Sequence, residues 1–248
     1  MSIPKHVREH IVLQHKLCSL KLPDSPASVN WPNPGTVDWF ETVLDEANMH
    51  PSYAVTFQDT GDTVTRANHG WINTTEVSFP TIVSTTGISI NTKYFIINST
   101  ANTFQVSATS GGAALPLTTN GTGTITVWPS RIVMPANGWA KFNTLAWFGR
   151  GAGWTVPQVI VNGMVLGTSI LKNGTAVFYG HVEINTQLME MTNQPDQPIQ
   201  TESGWLAVSA GDYFTAVFNN NSGFGTTFID LSPSGRCFFQ CEFTSSHP

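Results

Sequence analysis

The sequence predicts an all-β protein, and three observations lead to that prediction. Only 11% of the 248 residues are charged, against about 25% in an average soluble domain. Thr, Asn, Ser and Gly take the place of charged residues, and they suit solvent-facing strand positions and tight turns, whereas helix surfaces usually carry Glu and Lys. Short apolar segments bounded by Gly, Asn or Pro also recur about every 8–12 residues, as in all-β domains.

Three regions of different character follow one another along the chain. We expect an N-terminal anchoring arm over residues 1–52, a small β domain over 53–129 and a jelly-roll-like β-sandwich over 130–248. The net charge is +3 over residues 1–23, whereas residues 77–129 contain a single charged residue. Because the net charge of the whole chain is −5, the chain lacks the basic face on which nucleic-acid binding depends.

The arm is predicted to be extended, with one short helix. Four prolines lie between residues 23 and 34, and they favour an extended connector. Residues 6–17 fit a helix, although the IVL within them also fits a short strand. The sequence VDWFETVLDEA, residues 37–47, predicts the short helix, because its apolar side chains share one stripe and an acidic residue lies near its start.

The second and third regions are predicted to consist of short strands. In the second region these are YAVTF, EVSF, TKYFIIN, NTFQVSA and GTITVW. In the third region, Asn162-Gly163 predicts a hairpin turn within QVIVNGMVL. Alternation in GDYFTAVF places Tyr213, Thr215 and Val217 on one face and Phe214, Ala216 and Phe218 on the other. Both faces are apolar enough to be buried, which indicates a sandwich with one further partner, most simply another subunit.

No catalytic, cofactor-binding or metal-binding residue is predicted. His6 and His10 are four residues apart, but HVREH does not place a glutamate as a zinc protease requires. The glycine-rich residues 149–154 lack the Lys-Ser/Thr of a phosphate loop, and DTGD lacks the further ligands of a calcium loop. The longest apolar runs are also shorter than the roughly 18 residues that span a bilayer. We therefore expect a protein that is not an enzyme and has no cofactor and no membrane partner.

The three cysteines are expected to be free thiols. Cys237 and Cys241 are four residues apart in one apparent strand, which separates side chains on the same face by about 13 Å, too far for a disulfide. Cys18 lies in the predicted arm, without a nearby activating base. Buried thiols or a reducing compartment agree with this pattern.

Residues 85–127 resemble a module that recurs in the virion proteins of tailed phages. The motif positions are Gly87, Thr92, Tyr94, Phe95, Ile96, Ile97 and Asn98, then Thr100, Asn102, Phe104, Val106 and Ser107, then Gly111, Gly112, Gly123 and Thr124. The resemblance implies a structural protein of a phage or prophage virion, because this module occurs in tail, fibre and head-decoration proteins alike.

The third region is similar to the tumour-necrosis-factor-like jelly roll shared with complement-type head domains. The similar features are Pro135, Gly138 and Phe142, a Val-Asn-Gly hairpin at 161–163, the strand at 211–218, and Phe238 with Phe239. The resemblance implies a homotrimer that packs through aromatic inner strands. The trimer or core aromatic residues would be Phe142, Tyr213, Phe214, Phe218 and Phe238.

The resulting functional prediction is a trimeric decoration, or cement, protein of a phage head. It would be assembled in the cytoplasm of a host bacterium, become part of the virion, and bind the major capsid protein. Capsid exteriors are often acidic, so the basic arm would supply the anchor. The anchoring residues would be Lys5, Arg8, Lys16 and Lys21.

The alternative prediction is a trimeric receptor-binding tail fibre or tip protein that recognises host surface glycans. Exposed Trp147 and Trp154 would supply the ring faces that stack on sugars. A polysaccharide-degrading tail enzyme is a third reading, but no β-helix repeat and no supported carboxylate pair favour it.

Overall fold

The computed structural model describes residues 15–21, 35–36, 41–150, 164–184, 197–221, 229–231 and 238–248. The all-β prediction is confirmed, because every regular element in these segments is a strand and no helix occurs among them.

The described strands are β1 (Lys16–Lys21), β2 (Gly35–Thr36), β3 (Glu41–Asp45), β4 (Ser52–Gln58), β5 (Thr63–Thr65), β6 (Glu76–Val83), β7 (Tyr94–Ile97), β8 (Thr103–Ser107), β9 (Gly121–Val127), β10 (Ile132–Val133), β11 (Gly138–Arg150), β12 (Met164–Lys172), β13 (Thr175–Ile184), β14 (Gln197–Glu202), β15 (Leu206–Val208), β16 (Tyr213–Asn221), β17 (Ile229–Leu231) and β18 (Phe238–Thr244).

The strands form two open sheets and one closed barrel. Sheet I has seven strands in the order β14-β11-β18-β1-β3, with β15 and β17 also paired to β11. Sheet II has five strands in the order β10-β16-β12-β13, with β2 also paired to β16. The barrel closes in the order β4-β5-β8-β7-β6-β9. Every described strand pair is antiparallel.

Sheets I and II pack against each other as a sandwich. Phe142 of β11 stacks on Phe214 of β16 with their ring centroids 4.0 Å apart, and neither side chain is exposed to solvent. The hydroxyls of Thr168 and Thr201 form a buried hydrogen bond between the two sheets. The two inner faces therefore share one core, held by stacked rings and by at least one satisfied polar contact.

The barrel has its own core, separate from that of the sandwich. Three fully buried phenylalanines, Phe57, Phe79 and Phe104, occupy it together with aliphatic side chains from every strand. Gly123 of β9 permits the close packing, because a Cβ atom there would lie 2.3 Å from the carbonyl oxygen of Thr81. The segment that resembles the phage module supplies three of the six strands of this barrel, the neighbours β7 and β8 and the more distant β9.

The short helix expected over residues 37–47 is wrong where the structure describes that segment. Residues Glu41–Asp45 form strand β3, which pairs with β1 at the edge of sheet I. The two described residues of the apolar stripe that favoured a helix are exposed instead, Val43 60% and Leu44 40% accessible. Pairing with a neighbouring strand has overridden local helix preference, which is a weak determinant by itself.

The described part of the predicted arm belongs to the sandwich. Strand β1 lies between β18 and β3 in sheet I, so the first described strand of the chain pairs with the last. Its alternation directs Cys18 and Leu20 into the core, where both are 0% exposed. Lys16 and Lys21 are therefore the two ends of a sheet strand and not parts of a free arm, whereas Lys5 and Arg8 lie outside the described residues.

Candidate interaction surface

The outward face of sheet I is polar and charged. Lys141 forms an ion pair with Glu202 of β14, and Nδ1 of His15 hydrogen-bonds the carboxylate of Glu242 of β18. The amide of Gln240 donates to the hydroxyl of Ser19 at 3.1 Å. A face of this composition is what an antiparallel sheet presents to water.

A shallow cavity of about 140 Å³ lies in this charged face. Its lining includes Lys141, Glu202, Gln240 and Glu242. Ligand sites usually enclose at least about 300 Å³, and here Lys141 is already paired with a carboxylate. The hydrogen bond to Glu202 raises the pKa of Lys141, with burial opposing and nearby carboxylates adding to the rise. We therefore regard the cavity as part of a solvated surface.

The outward face of sheet II is different, because its described central rows carry no charge. One row crosses three strands, with Tyr179 of β13 opposite Ser169 of β12 and Ser169 opposite Val217 of β16. The next row pairs Leu171 with Thr215. Tyr179 is 72% exposed, and its neighbour Val177 is 36% exposed. We call Tyr179, Val177, Ser169, Leu171, Thr215 and Val217 the uncharged face. Ser169 and Thr215 are already buried in the single chain, so its open part is centred on Tyr179 and Val177.

The aromatic residues predicted for the trimer or the core divide into several groups. Phe142 and Phe214 are buried in the core of their own chain, so they are not accessible to a partner subunit. Tyr213 lies on the outer side of sheet II, where the guanidinium of Arg131 sits 4.1 Å from its ring centroid. Phe238 is half-buried at the start of β18, and Phe218 lies in β16 opposite Thr168.

The described residues do not test the tryptophans predicted to contact glycans. Trp147 lies in β11 opposite Pro198 of β14, and Trp154 lies outside the described residues. Two other tryptophans contact histidine rings, Trp139 with His247 and Trp205 with His15.

An aromatic cluster that the sequence does not single out lies on the barrel. Trp71 packs against Phe104 and Tyr53 at centroid distances of 5.7 Å each, and the guanidinium of Arg66 lies 4.3 Å from the Tyr53 ring centroid. Both Tyr53 and Trp71 pack on the barrel core. The cluster is best explained as packing, and it leaves Ile72 of the same loop 71% exposed.

A buried histidine connects the barrel to the sandwich. His50 is 3% exposed, its Nε2 hydrogen-bonds the carbonyl of Pro129 at 3.0 Å, and its Nδ1 hydrogen-bonds the hydroxyl of Thr42 at 2.8 Å. Because a carbonyl only accepts, Nε2 carries the proton and Nδ1 accepts from Thr42. The carboxylate of Asp45 accepts from the backbone N–H groups of Met49 and His50, at 2.7 Å each. This network fixes the turn between β3 and β4.

We expect the protein to lose stability as the pH falls below about 6.5, in part through His50. Burial lowers the pKa of His50 below its ordinary value of 6.5, and the hydrogen bond to Pro129 and the charge of Asp45 only partly oppose that shift. The unfolded chain therefore binds the proton first, so the stabilisation is complete above pH 6.5 and declines below it. Urea unfolding of wild type and His50→Gln at pH 7.5 and 5.5 measures how much of the loss in the free energy of unfolding is due to His50.

A smaller loss of stability between the two pH values in His50→Gln than in wild type is the expected result, and an equal loss would contradict it. Titration of Asp212 does not contribute to the difference in stability between pH 7.5 and 5.5. Burial by itself raises the pKa of Asp212, but hydrogen bonds from Lys172, the Ser209 N–H and Asn173 outweigh burial and lower that pKa to about 2. Its contribution is therefore complete above its ordinary value of 3.8 and is lost only below that pH.

Within the described segments, no group of three or more His, Cys, Asp or Glu side chains is arranged to hold a metal ion. The same segments contain no helix that is long and apolar enough to cross a membrane. The sequence matches no protein-family model. It also matches no curated protein.

Proposed function

We propose that this chain is a non-enzymatic structural protein of a tailed-phage virion, which assembles as a jelly-roll-like homotrimer and decorates the capsid exterior. The uncharged face of sheet II is the observation that carries the self-assembly part of this proposal. The phage part is supported by the resemblance of residues 85–127 to a virion module.

The contrast between the two outer faces is what favours a partner for sheet II. Both sheets belong to one sandwich and to one chain with few charges, yet charged side chains are placed on sheet I and kept off the central rows of sheet II. The cores of protein interfaces are depleted in charge and enriched in tyrosine. Tyr179, with 72% of its side chain exposed, would be the anchor of such an interface.

Linkage explains how decoration would stabilise the shell. A trimer that binds only the assembled lattice stabilises that lattice by mass action, because its binding free energy is lost when the shell opens. The anchor must now be sought before residue 15, since Lys16 and Lys21 are held in β1. Lys5 and Arg8 remain the proposed cationic contacts to the major capsid protein in the virion, which is assembled in the cytoplasm of the host bacterium.

Tyr179→Lys is expected to convert the trimer to monomer without unfolding the chain. The lysine would bring one uncompensated charge per subunit into the proposed interface, at a position that is 72% exposed in the single chain. Native mass spectrometry and light scattering at about 10 µM give the oligomeric state, and far-ultraviolet circular dichroism reports the fold.

Ile72→Lys is the matched control for this experiment. Ile72 is also a large exposed hydrophobic residue, 71% accessible, but it lies on the barrel and not on sheet II. The control protein should remain trimeric. A monomeric wild type, or a Tyr179→Lys variant that stays trimeric, would contradict the proposal.

The decoration role is tested separately with particles. Labelled protein is mixed with phage heads and with isolated tails from the host strain that carries the gene, and its sedimentation with each is measured. We expect binding to heads and greater resistance of decorated heads to heat. Binding to tails alone would reject decoration and support the receptor-binding alternative.

A further inference from the structure

The fold brings together two cysteines that lie near opposite ends of the chain. Cys18 of β1 is directly opposite Cys241 of β18 in the antiparallel register. Both are free thiols, both are 0% exposed, and both belong to the sandwich core. Their side chains therefore point to the same face of sheet I. Spacing along the sequence could not indicate this pair, because only the pairing of β1 with β18 brings the two residues together.

The backbone geometry of the pair is compatible with a disulfide. The N–H of Leu17 donates to the carboxylate of Glu46 at 2.8 Å, and the carbonyl of Leu17 accepts from the N–H of Glu46 at 3.0 Å, so the polar groups of Leu17 face β3. The backbone N–H and C=O groups of the next residue, Cys18, must therefore face β18, where Cys18 and Cys241 form a hydrogen-bonded pair. The Cα atoms of such a pair are about 5.5 Å apart, within the range of about 4.4–6.8 Å found in disulfides.

The distance between the two Cβ atoms determines how strained the disulfide would be. In a cross-strand pair they are up to about 5.5 Å apart, whereas a disulfide needs about 3.8 Å. Closing the bond must therefore draw β1 and β18 closer together. Strained disulfides are easier to reduce than relaxed ones, so this bond would be reversible.

The environment of the pair keeps it reduced until a strand opens. Burial is the main cause that raises the pKa of the Cys18 thiol, and the charge of Asp45 adds to the rise. Burial also raises the pKa of Cys241, with Cys18 itself the next cause. Because the thiolate is the reactive form, both cysteines are slow to react while they are buried.

We propose that Cys18 and Cys241 form a redox-controlled cross-strand disulfide that joins the first described strand of the chain to the last. The pair stays reduced in a thiol-rich compartment and closes outside it. The oxidant is a low-molecular-weight disulfide such as glutathione disulfide.

The chemistry balances in two exchange steps. One cysteine loses its proton, its thiolate attacks a sulfur of glutathione disulfide, and one glutathione thiolate leaves. The second cysteine then loses its proton and attacks the protein sulfur of the mixed disulfide, releasing the second glutathione thiolate. The protein has lost two electrons and two protons, and one glutathione disulfide has become two glutathiones once each thiolate takes up one of those protons.

The biological role of the bond rests on the proposed function. A virion protein is assembled in a reducing cytoplasm and then released to an oxidising exterior. A bond that closes after release would lock β1, and with it the proposed N-terminal anchor, into the body of the particle. The bond itself is tested on isolated protein, so its failure and the failure of the virion assignment are distinguishable.

The test follows intact mass and peptide linkage in a glutathione redox buffer at pH 8. Full-length wild type, Cys18→Ser and Cys237→Ser are oxidised, quenched with an alkylating reagent and digested. We expect wild type to lose the mass of two hydrogen atoms, to yield a peptide linking residues 18 and 241, and to regain that mass with dithiothreitol. Its midpoint of thermal unfolding should rise by roughly 4–16 °C on oxidation.

Cys237→Ser is the matched control, because it removes the third cysteine and keeps the pair. It should oxidise and gain thermal stability as wild type does, whereas Cys18→Ser should do neither. Two thiols that stay free, a stable glutathione adduct on each cysteine, or a bond that involves Cys237 in place of Cys18 would each overturn the proposal.

Discussion

A chain that begins at residue 22 is expected not to fold its sandwich. The deletion removes β1, which lies between β18 and β3 in sheet I, and so leaves β3 without its strand partner and one edge of β18 unpaired. It also removes two fully buried core side chains, Cys18 and Leu20. Truncating one buried leucine to alanine costs about 2–5 kcal/mol, and a whole domain is stable by only about 5–15 kcal/mol. The loss of a complete strand, with its backbone pairing as well as its core side chains, is therefore comparable with the whole stability of the domain.

The matched control is a chain that begins at residue 15 and keeps β1 intact. We expect it to retain the tertiary circular dichroism spectrum and the cooperative unfolding of the full chain. The shorter chain should keep only a protease-resistant fragment near residues 50–129, because the barrel core draws no side chain from β1. A folded sandwich in the chain that begins at residue 22 would show that β1 is dispensable and would restore the idea of a free arm.

This expectation reverses what the sequence suggested about the N-terminus. Prolines and basic residues predicted a detachable arm, and no local pattern near Lys16–Lys21 identifies a partner more than 200 residues later in the chain. The alternation that fits β1 is only six residues long. Long-range pairing of short strands is decided by the complete core, which a pass along the sequence cannot evaluate.

Other parts of the fold were predicted well because their signals are local. TKYFIIN and NTFQVSA contain β7 and β8, and GTITVW contains most of β9. The hairpin between β12 and β13 carries an equally local signal. Asn173 and Gly174 join β12 to β13 with φ values of 51° and 82°, as a two-residue hairpin of type I′ requires. The hairpin tip predicted at Asn162-Gly163 lies outside the described residues.

The candidate surface was predicted only in outline. Alternation in β16 correctly separated Phe214 and Ala216 from Tyr213, Thr215 and Val217, since the first two are fully buried in the sandwich core. The sequence could not predict which residues of the neighbouring strands complete the outer face. Tyr179 and Ser169 join Val217 only through the pairing of three strands, and that pairing defines the uncharged face.

Phe142→Ala is expected to destabilise the folded chain by about 3–5 kcal/mol. The ring is fully buried between Phe214 and Phe239, at centroid distances of 4.0 and 6.0 Å. Its backbone is also fixed, because the N–H of Phe142 donates to the Ser203 hydroxyl at 2.7 Å and its carbonyl accepts from the Ser203 N–H at 2.9 Å. The strand therefore cannot move into the space left by the ring, so we expect the upper part of that range.

Urea unfolding at two protein concentrations distinguishes a core residue from an interface residue. Truncating a core residue lowers the free energy of unfolding equally at both concentrations. Truncating an interface residue weakens subunit association, so its effect depends on protein concentration. Val177→Ala, on the uncharged face and 36% exposed in the single chain, is the contrasting variant. It should change the unfolding of the monomer by less than about 1 kcal/mol. If Phe142→Ala weakened only association, Phe142 would belong to the subunit interface and the two sheets would not share a core within one chain.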